Sequence, residues 1–326
     1  MSNSKTFDLR GLITALITPT DEDGNANIKV LRQLLKYNSP EYVNGFVGLG
    51  STAGSSSFRK SEKEKIVSTI AEHCDKTKQK LIVGASSESM ESIIEDYKLG
   101  CNFNAYAMLT MPLLGVKPNI LGLERQFATL YERFRIPIIY YDNEWRAGRG
   151  QTTKPDDFSR LVNLVPGIKA IKLASGDIKQ CEEIIKICKD LGVMVFSGND
   201  NQTRQMVKIG EKEKVNVGSI SVLSNAFQEQ VAETLKVFPT PAHSGDNMDN
   251  LLQNFYTAAS KSGNPRAIMA MMKYMGFEVG EVSEFIGPVS DGQMSEIMRL
   301  MESKPQGVSE PLWKIWIGDK WKNICK

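Results

Sequence analysis

Two lysines stand in one short apolar run, Ile168-Lys169-Ala170-Ile171-Lys172-Leu173. Read as a strand, with side chains alternating between its faces, Lys172 shares a face with Ala170 and Ile168 while Lys169 points the other way. Lys169 lies near the start of the run, where a solvated or paired lysine is expected. Lys172 lies near its end, on a face otherwise apolar or small. Burial disfavours an ammonium, and a neutral amine can attack a carbonyl carbon to give an imine. The competing reading is a lysine with a buried stem and its head in water or a salt bridge, and on the strand pattern alone that reading is the default.

A second run ends Ile138-Ile139-Tyr140-Tyr141-Asp142. Alternation pairs Tyr141 with Ile139 and Tyr140 with Ile138, so one tyrosine faces a barrel interior and its neighbour faces the helices. A phenol beside an amine can carry protons to and from a carbinolamine; two core tyrosines are the plain alternative. Arg146 follows in a glycine-rich stretch, Arg146-Ala147-Gly148-Arg149-Gly150, where a guanidinium can grip a carboxylate or simply be exposed. Earlier in the chain, Gly48-Leu49-Gly50-Ser51-Thr52-Ala53-Gly54 has the spacing Gly-x-Gly-x-x-x-Gly, which is wrong for a dinucleotide loop, and the following run ends Val83-Gly84-Ala85-Ser86 with no acid for a ribose. Its N–H groups and the Ser51 and Thr52 hydroxyls suit a small carboxylate, or equally a tight turn capped by hydroxyls.

These residues sit at the ends of short β-branched runs that alternate with amphipathic stretches. The runs are Leu12–Thr18, Gly45–Gly50, Leu81–Gly84, Ala105–Thr110, Pro137–Tyr141, Ile168–Leu173, Val193–Ser197 and Val215–Val222. Helical periodicity is expected over Ser61–Cys74, Met90–Leu99, Leu121–Phe134, Asp156–Leu164 and Asp177–Leu191. Eight near-continuous apolar runs at intervals of about 25 to 35 residues predict parallel βα units. A closed (β/α)8 barrel fits the number, with an open doubly wound sheet as the alternative. The barrel is expected over residues 1–224, and residues 225–326 are expected to be helices packed on it within the same structural unit. Residues from about 225 to 303 read as wholly helical, and the Met-rich stripe Ala267–Met275 reads as helix core. The tail holds Trp313, Trp316 and Trp321, which pack on the body or on another subunit.

Bulk composition narrows the function. The 326 residues are 41% hydrophobic and carry 40 Lys and Arg against 38 Asp and Glu, a net charge of +2. Such a balance gives no electrostatic case for a nucleic acid or an anionic membrane as partner. No apolar stretch approaches the roughly 18 residues that span a bilayer, and the N-terminus has no hydrophobic signal core. Five scattered cysteines, with Cys181 and Cys188 placed to share a helix face, read as free thiols in a reducing compartment, so a cytoplasmic protein is expected. With two histidines and no Cys-x-x-Cys, a metal site has little to draw on.

Taken together and in order, these motifs resemble the dihydrodipicolinate synthase and N-acetylneuraminate lyase family over about residues 10 to 300. Ala15-Leu16-Ile17-Thr18-Pro19 with Asp23-Gly24-Asn25 is similar to the family's first strand and turn, and Gly50-Ser51-Thr52 to its carboxylate loop. Lys172-Leu173-Ala174-Ser175-Gly176-Asp177 resembles its Schiff-base motif, and Ser197-Gly198-Asn199-Asp200 and Gly218-Ser219-Ile220-Ser221-Val222 its last two strands. The resemblance implies a class I lyase or aldolase with no metal or organic cofactor. In that reading Lys172 condenses with pyruvate or another 2-oxo acid, and Tyr141 relays protons with the Ser51 or Thr52 hydroxyl. The loop N–H groups hold the carboxylate, Gly198 lines the site, and the Ile220 carbonyl lies near the reacting carbon. A homo-oligomer, dimer or tetramer, is implied. Substrate indications diverge: Ser51-Thr52 is typical of the neuraminate lyases, whereas Arg146 with Gly148 resembles the synthase's clamp on a carboxylated aldehyde. A synthase-like reaction is favoured because of Arg146, with a lyase for N-acetylneuraminate or a 2-keto-3-deoxy sugar acid as the near alternative. Leu113-Leu114 stands where the family has aromatics, one of them a tyrosine completing a neighbouring subunit's proton relay. That departure motivates a third reading, a non-catalytic binder of oxo acids.

Overall fold

Each aliphatic run becomes a strand in the computed structural model: β1 (Leu12–Ala15), β2 (Val43–Gly48), β3 (Lys80–Gly84), β4 (Ala107–Thr110), β5 (Ile138–Asp142), β6 (Ile168–Leu173), β7 (Met194–Ser197) and β8 (Val217–Ser221). The strands follow one another in chain order as a closed barrel, which decides between the two expected architectures. The structure describes residues 7–148, 153–235, 246–281, 287–303 and 314. Arg149, Gly150, the three C-terminal tryptophans and Cys325 lie outside them.

The helices are α1 (Ile28–Tyr37), α2 (Lys60–Thr77), α3 (Met90–Asn102), α4 (Ile120–Phe134), α5 (Pro155–Leu164), α6 (Ile178–Leu191) and α7 (Thr203–Glu213), one after each of the first seven strands, then α8 (Gln228–Thr234), α9 (Asp246–Ser262), α10 (Arg266–Tyr274) and α11 (Asp291–Met301). α1 and α7 go beyond the helices expected from periodicity. In α7 only Thr203, Met206, Val207 and Gly210 are buried, a stripe too narrow and too polar to read as an apolar face. The expectation that residues from about 225 to 303 are wholly helical is corrected in part: helices α8 to α11 form, with non-helical stretches among the described residues between them. Gly263, at φ +77°, and Pro265 separate α9 from α10, and Gly276 and Gly280 stand in an irregular stretch after α10. That stretch is used: Val279 O accepts from Thr20 N at 3.0 Å, and the Thr20 hydroxyl donates to the Glu281 carbonyl. The methionine stripe is core, with Met269, Met271, Met272 and Met275 all buried.

The chain forms two compact units, Met1–Gly11 with Ile82–Ser219, and Leu12–Leu81 with Ile220–Lys326. In the first, β3 to β8 pair in parallel, and a buried cluster fills the space between β5 to β7 and the helices α4 to α7. Tyr140 lies at the centre of this cluster, its ring 5.1 Å from Phe127 and 5.7 Å from Phe158. Ile168, Ile171 and Leu173 belong to the same cluster. That corrects the expected facing of Ile168. The β5–β6 register slips between Ile138 and Ile139, so Ile138 pairs with Ile168 but Ile139 with Ala170. The slip places Ile168 on the helix side, opposite Lys172. Asp177 then starts α6 by accepting from Lys179 N and Gln180 N.

In the second unit α1 and α2 pack together, α1 capped by Asn27. Glu62 joins the capping box of α2 and also accepts from Ala26 N at 3.1 Å. Residues just past β8 tie onto β1 and α1: Asn225 accepts from Ile17 N at 3.1 Å and donates to Ala15 O at 2.8 Å, and the Tyr37 hydroxyl donates to Ala226 O at 2.7 Å.

Candidate active site

Strand register carries the two reactive side chains to each other. Tyr141 on β5 is the Cα partner of Lys172 on β6, and Phe196 on β7 flanks Lys172 from the other side. Both side chains leave the same face of the sheet, away from the helix-side cluster that takes Tyr140, so the expected division of the tyrosine pair is what the geometry shows. The Lys172 Nζ lies 4.4 Å from the centre of the Tyr141 ring. Lys172 is 3% exposed and Tyr141 5%, whereas Lys169 is exposed. Among the described residues no carboxylate forms a salt bridge with Lys172, which removes the paired-lysine reading.

Gly198 makes room for the lysine. A Cβ built on it would lie 2.8 Å from Lys172 Cε, 2.8 Å from Ala174 Cβ and 2.9 Å from Leu173 O. Its own N–H donates to Leu173 O at 2.7 Å, holding β7 tightly against the end of β6. Any larger residue would push on the stem that positions the amine.

Beyond β5 the chain turns sharply. Ala147 N donates to Asn143 O at 3.0 Å, and Arg146 N donates to the Asn143 side-chain oxygen at 2.9 Å. The Asn143 amide nitrogen, in turn, donates to the Tyr141 hydroxyl oxygen at 3.2 Å. Asp142, fully buried, accepts from Thr153 N at 3.1 Å and the Thr153 hydroxyl at 3.0 Å. Thr153 also meets the Tyr140 hydroxyl at 2.6 Å. This network ties Thr153 to the end of β5 on the helix side while Tyr141 stays on the other. Arg146 is exposed on the turn, beside Trp145 at 80% exposure. The half-buried Leu113 and Leu114 approach the same turn, since the next residue, Gly115, donates to Ala147 O at 3.1 Å.

Ser51, Thr52 and Ile220 belong to the second unit. Ser51–Ala53 is a single 3-10 turn closed by Gly54 in the left-handed region, with Leu49 at φ 55° before it. Thr52 is buried, and its hydroxyl accepts from the Asn264 amide at 2.9 Å; Ser51 is half-buried. Ile220 is fully buried on β8. Asn143 and Asn264 are the polar residues that sequence reasoning missed. Neither has a periodic or motif signal, because each acts through a loop that doubles back.

The thiols are poor nucleophiles. Burial, with Asp142 adding its charge, pushes Cys181 up to about 12, and burial does the same for Cys188. Among the described residues no three or more His, Cys, Asp or Glu come together as a metal site, and no helix is long and apolar enough to cross a membrane.

Residues 8–304 match the model of the dihydrodipicolinate synthetase family. A 4-hydroxy-tetrahydrodipicolinate synthase of Desulforamulus reducens is 29% identical over 281 residues, 85% of this chain and 91% of that one. One from Thermotoga petrophila is 28% identical over 293 residues, 89% and 96% of the two chains. The crystal structure of a dihydrodipicolinate synthase from Thermotoga maritima superposes with a TM-score of 0.82 at 27% identity, covering 90% of this chain and 97% of that one.

Proposed function

The chain belongs to the dihydrodipicolinate synthetase family, and on that premise we propose that it is a Schiff-base lyase or aldolase in which Lys172 condenses with pyruvate and Tyr141 moves the protons. The observation that carries the assignment is the buried Lys172 amine held 4.4 Å from the Tyr141 ring centre, with Gly198 clearing its stem.

The chemistry follows from what an amine and a phenol can exchange. Lys172 nitrogen bonds to C2 of pyruvate, the carbonyl π pair moves to oxygen, and a proton passes from the nitrogen to that oxygen to give the hydroxyl of a neutral carbinolamine. The Tyr141 phenol protonates that hydroxyl, water leaves, and the nitrogen lone pair forms the C=N bond of a protonated imine. The imine draws electrons from C3, so a methyl proton passes to the phenolate and an enamine results. The phenol is thereby restored, and the sum is amine plus pyruvate giving enamine plus water. Enamine carbon then bonds to the aldehyde carbon of the second substrate, the aldehyde π pair moves to oxygen, which takes a proton, and water adding to the imine that re-forms frees the product from Lys172. No organic cofactor is needed, because the protonated imine is itself the electron sink.

In this reading the turn at Ser51 and Thr52, with its N–H groups, holds the pyruvate carboxylate, Ile220 contributes its backbone carbonyl, and Arg146 takes the carboxylate of the aldehyde partner. A synthase-type condensation is the leading assignment; a sugar-acid lyase is the second, motivated by the Ser51-Thr52 pair. The same proposal includes a cytoplasmic location and a homo-oligomer of two or four subunits.

Enamine formation exchanges the pyruvate methyl protons with solvent, which proton NMR follows in D2O without any aldehyde. Exchange that is rapid with the wild-type chain and absent with Lys172→Arg supports the assignment. Equal exchange by the two proteins refutes it.

A further inference from the structure

The geometry points to Asn143 as the positioning residue that serves the Tyr141 phenol from within the same chain, an inference that rests on the Schiff-base reading above. Its amide orientation is fixed by the backbone. Arg146 N–H is a donor and bonds only to the carboxamide oxygen, at 2.9 Å, so the group facing Tyr141 at 3.2 Å is the NH2. An amide NH2 donates and never accepts. It therefore occupies a lone pair of the phenol oxygen and leaves the phenol's own hydrogen to be donated to another group.

The same contact strengthens when Tyr141 gives up its proton, because a hydrogen bond to a charged oxygen is stronger than one to a neutral oxygen. Asn143 thus acts on the interval in which Tyr141 is a phenolate, and so on the two proton transfers that open and close it. The residue sits two places beyond Tyr141 and reaches back only because the Asn143–Ala147 turn folds it over the end of β5. Leu113 and Leu114 on the adjoining loop have no hydrogen-bonding side chain, so neither can donate to the phenol.

Asn143→Asp separates this role from a purely structural one. A carboxylate keeps an oxygen for Arg146 N–H and preserves the turn, but it replaces the donor at the phenol with a charged acceptor. We measure the melting temperature, trapping of pyruvate by borohydride, and the maximal rate and half-saturation of pyruvate methyl exchange. The expected result for Asn143→Asp is an unchanged melting temperature, an unchanged half-saturation and a maximal exchange rate lower by about ten- to a hundredfold. Asn143→Ala, which loses the donor without adding a charge, is expected to fall less. A wild-type maximal rate in Asn143→Asp overturns the inference and leaves Asn143 as a turn residue. Should Asn143→Asp melt early, Asn143→Ala decides: a lowered maximal rate supports the donor role, and a wild-type rate overturns it. Wild-type protein that neither traps nor exchanges pyruvate fails the Schiff-base reading itself, a different outcome from a wild-type enzyme that exchanges normally beside an unaffected variant.

Discussion

Replacing Gly198 by alanine adds one methyl group against the stem of the reactive lysine. The new Cβ would lie 2.8 Å from Lys172 Cε and 2.8 Å from Ala174 Cβ, against a carbon–carbon contact optimum of about 3.5 to 4.0 Å. Roughly 1 Å of displacement is needed, and Ala174 and the Leu173 carbonyl, 2.9 Å away, close off retreat on the strand side. Overpacking of this kind costs about 1 to 3 kcal/mol of stability. Moving a reacting atom by about 1 Å costs on the order of a hundredfold in rate. Gly198 is not among the positive-φ glycines, so alanine carries no penalty from φ and the variant reports the contacts of the added Cβ with Lys172, Ala174 and the Leu173 carbonyl. The assay is the rate of pyruvate methyl exchange, with circular dichroism confirming the fold and its melting temperature. Exchange at the wild-type rate with an unchanged melting temperature would refute the claim that Gly198 sets the position of the amine.

Four further outcomes are expected. Tyr141→Phe should lower methyl exchange by about 10² to 10⁴ while leaving the melting temperature nearly unchanged, since the phenol works as a proton carrier. Tyr140→Phe should do the reverse, losing about 1 kcal/mol of stability through its Thr153 hydrogen bond with little effect on exchange, as chemical denaturation will show. Glu62→Gln should remove about 1 kcal/mol near neutral pH. Burial alone would raise the Glu62 carboxyl, but the N–H groups of Arg59 and Ala26 and the Arg59 guanidinium together hold it below the usual range. A depressed folded value stabilises above the unfolded value of about 4.3 and is lost as pH falls through the folded one, so the difference between wild type and variant in urea titrations should shrink below about pH 4. Arg146→Ala should raise KM for a carboxylated aldehyde by about tenfold and leave methyl exchange unchanged; steady-state kinetics with and without the carboxylate on the aldehyde checks this.

The barrel and the reactive pair were legible because both rest on short-range periodicity. Eight aliphatic runs indicated the strand number, and alternation put Tyr140 and Tyr141 on opposite faces, while only the family resemblance singled out Tyr141 as the one facing Lys172. Alternation also distinguished Lys172 from Lys169, one exposed and one buried. Alternation failed at Ile168, where the register slip against β5 reversed the face, and a slip leaves no trace in composition. The breaks in the C-terminal helices were marked by Gly263, Pro265, Gly276 and Gly280, whose meaning is plainer than the helical periodicity that obscured them. Asn143 and Asn264 were beyond reach for another reason. One depends on a turn folding back by two residues, and the other meets Thr52 across 212 positions of sequence.

Catalysis in this barrel depends on an imine formed at one particular lysine. Incubating the protein with pyruvate, reducing with borohydride and mapping the modified peptide by mass spectrometry tests it most directly. A reduced pyruvyl adduct is expected on Lys172, and none on Lys169 three residues earlier. An adduct on another lysine, or no adduct at all at saturating pyruvate, would contradict it.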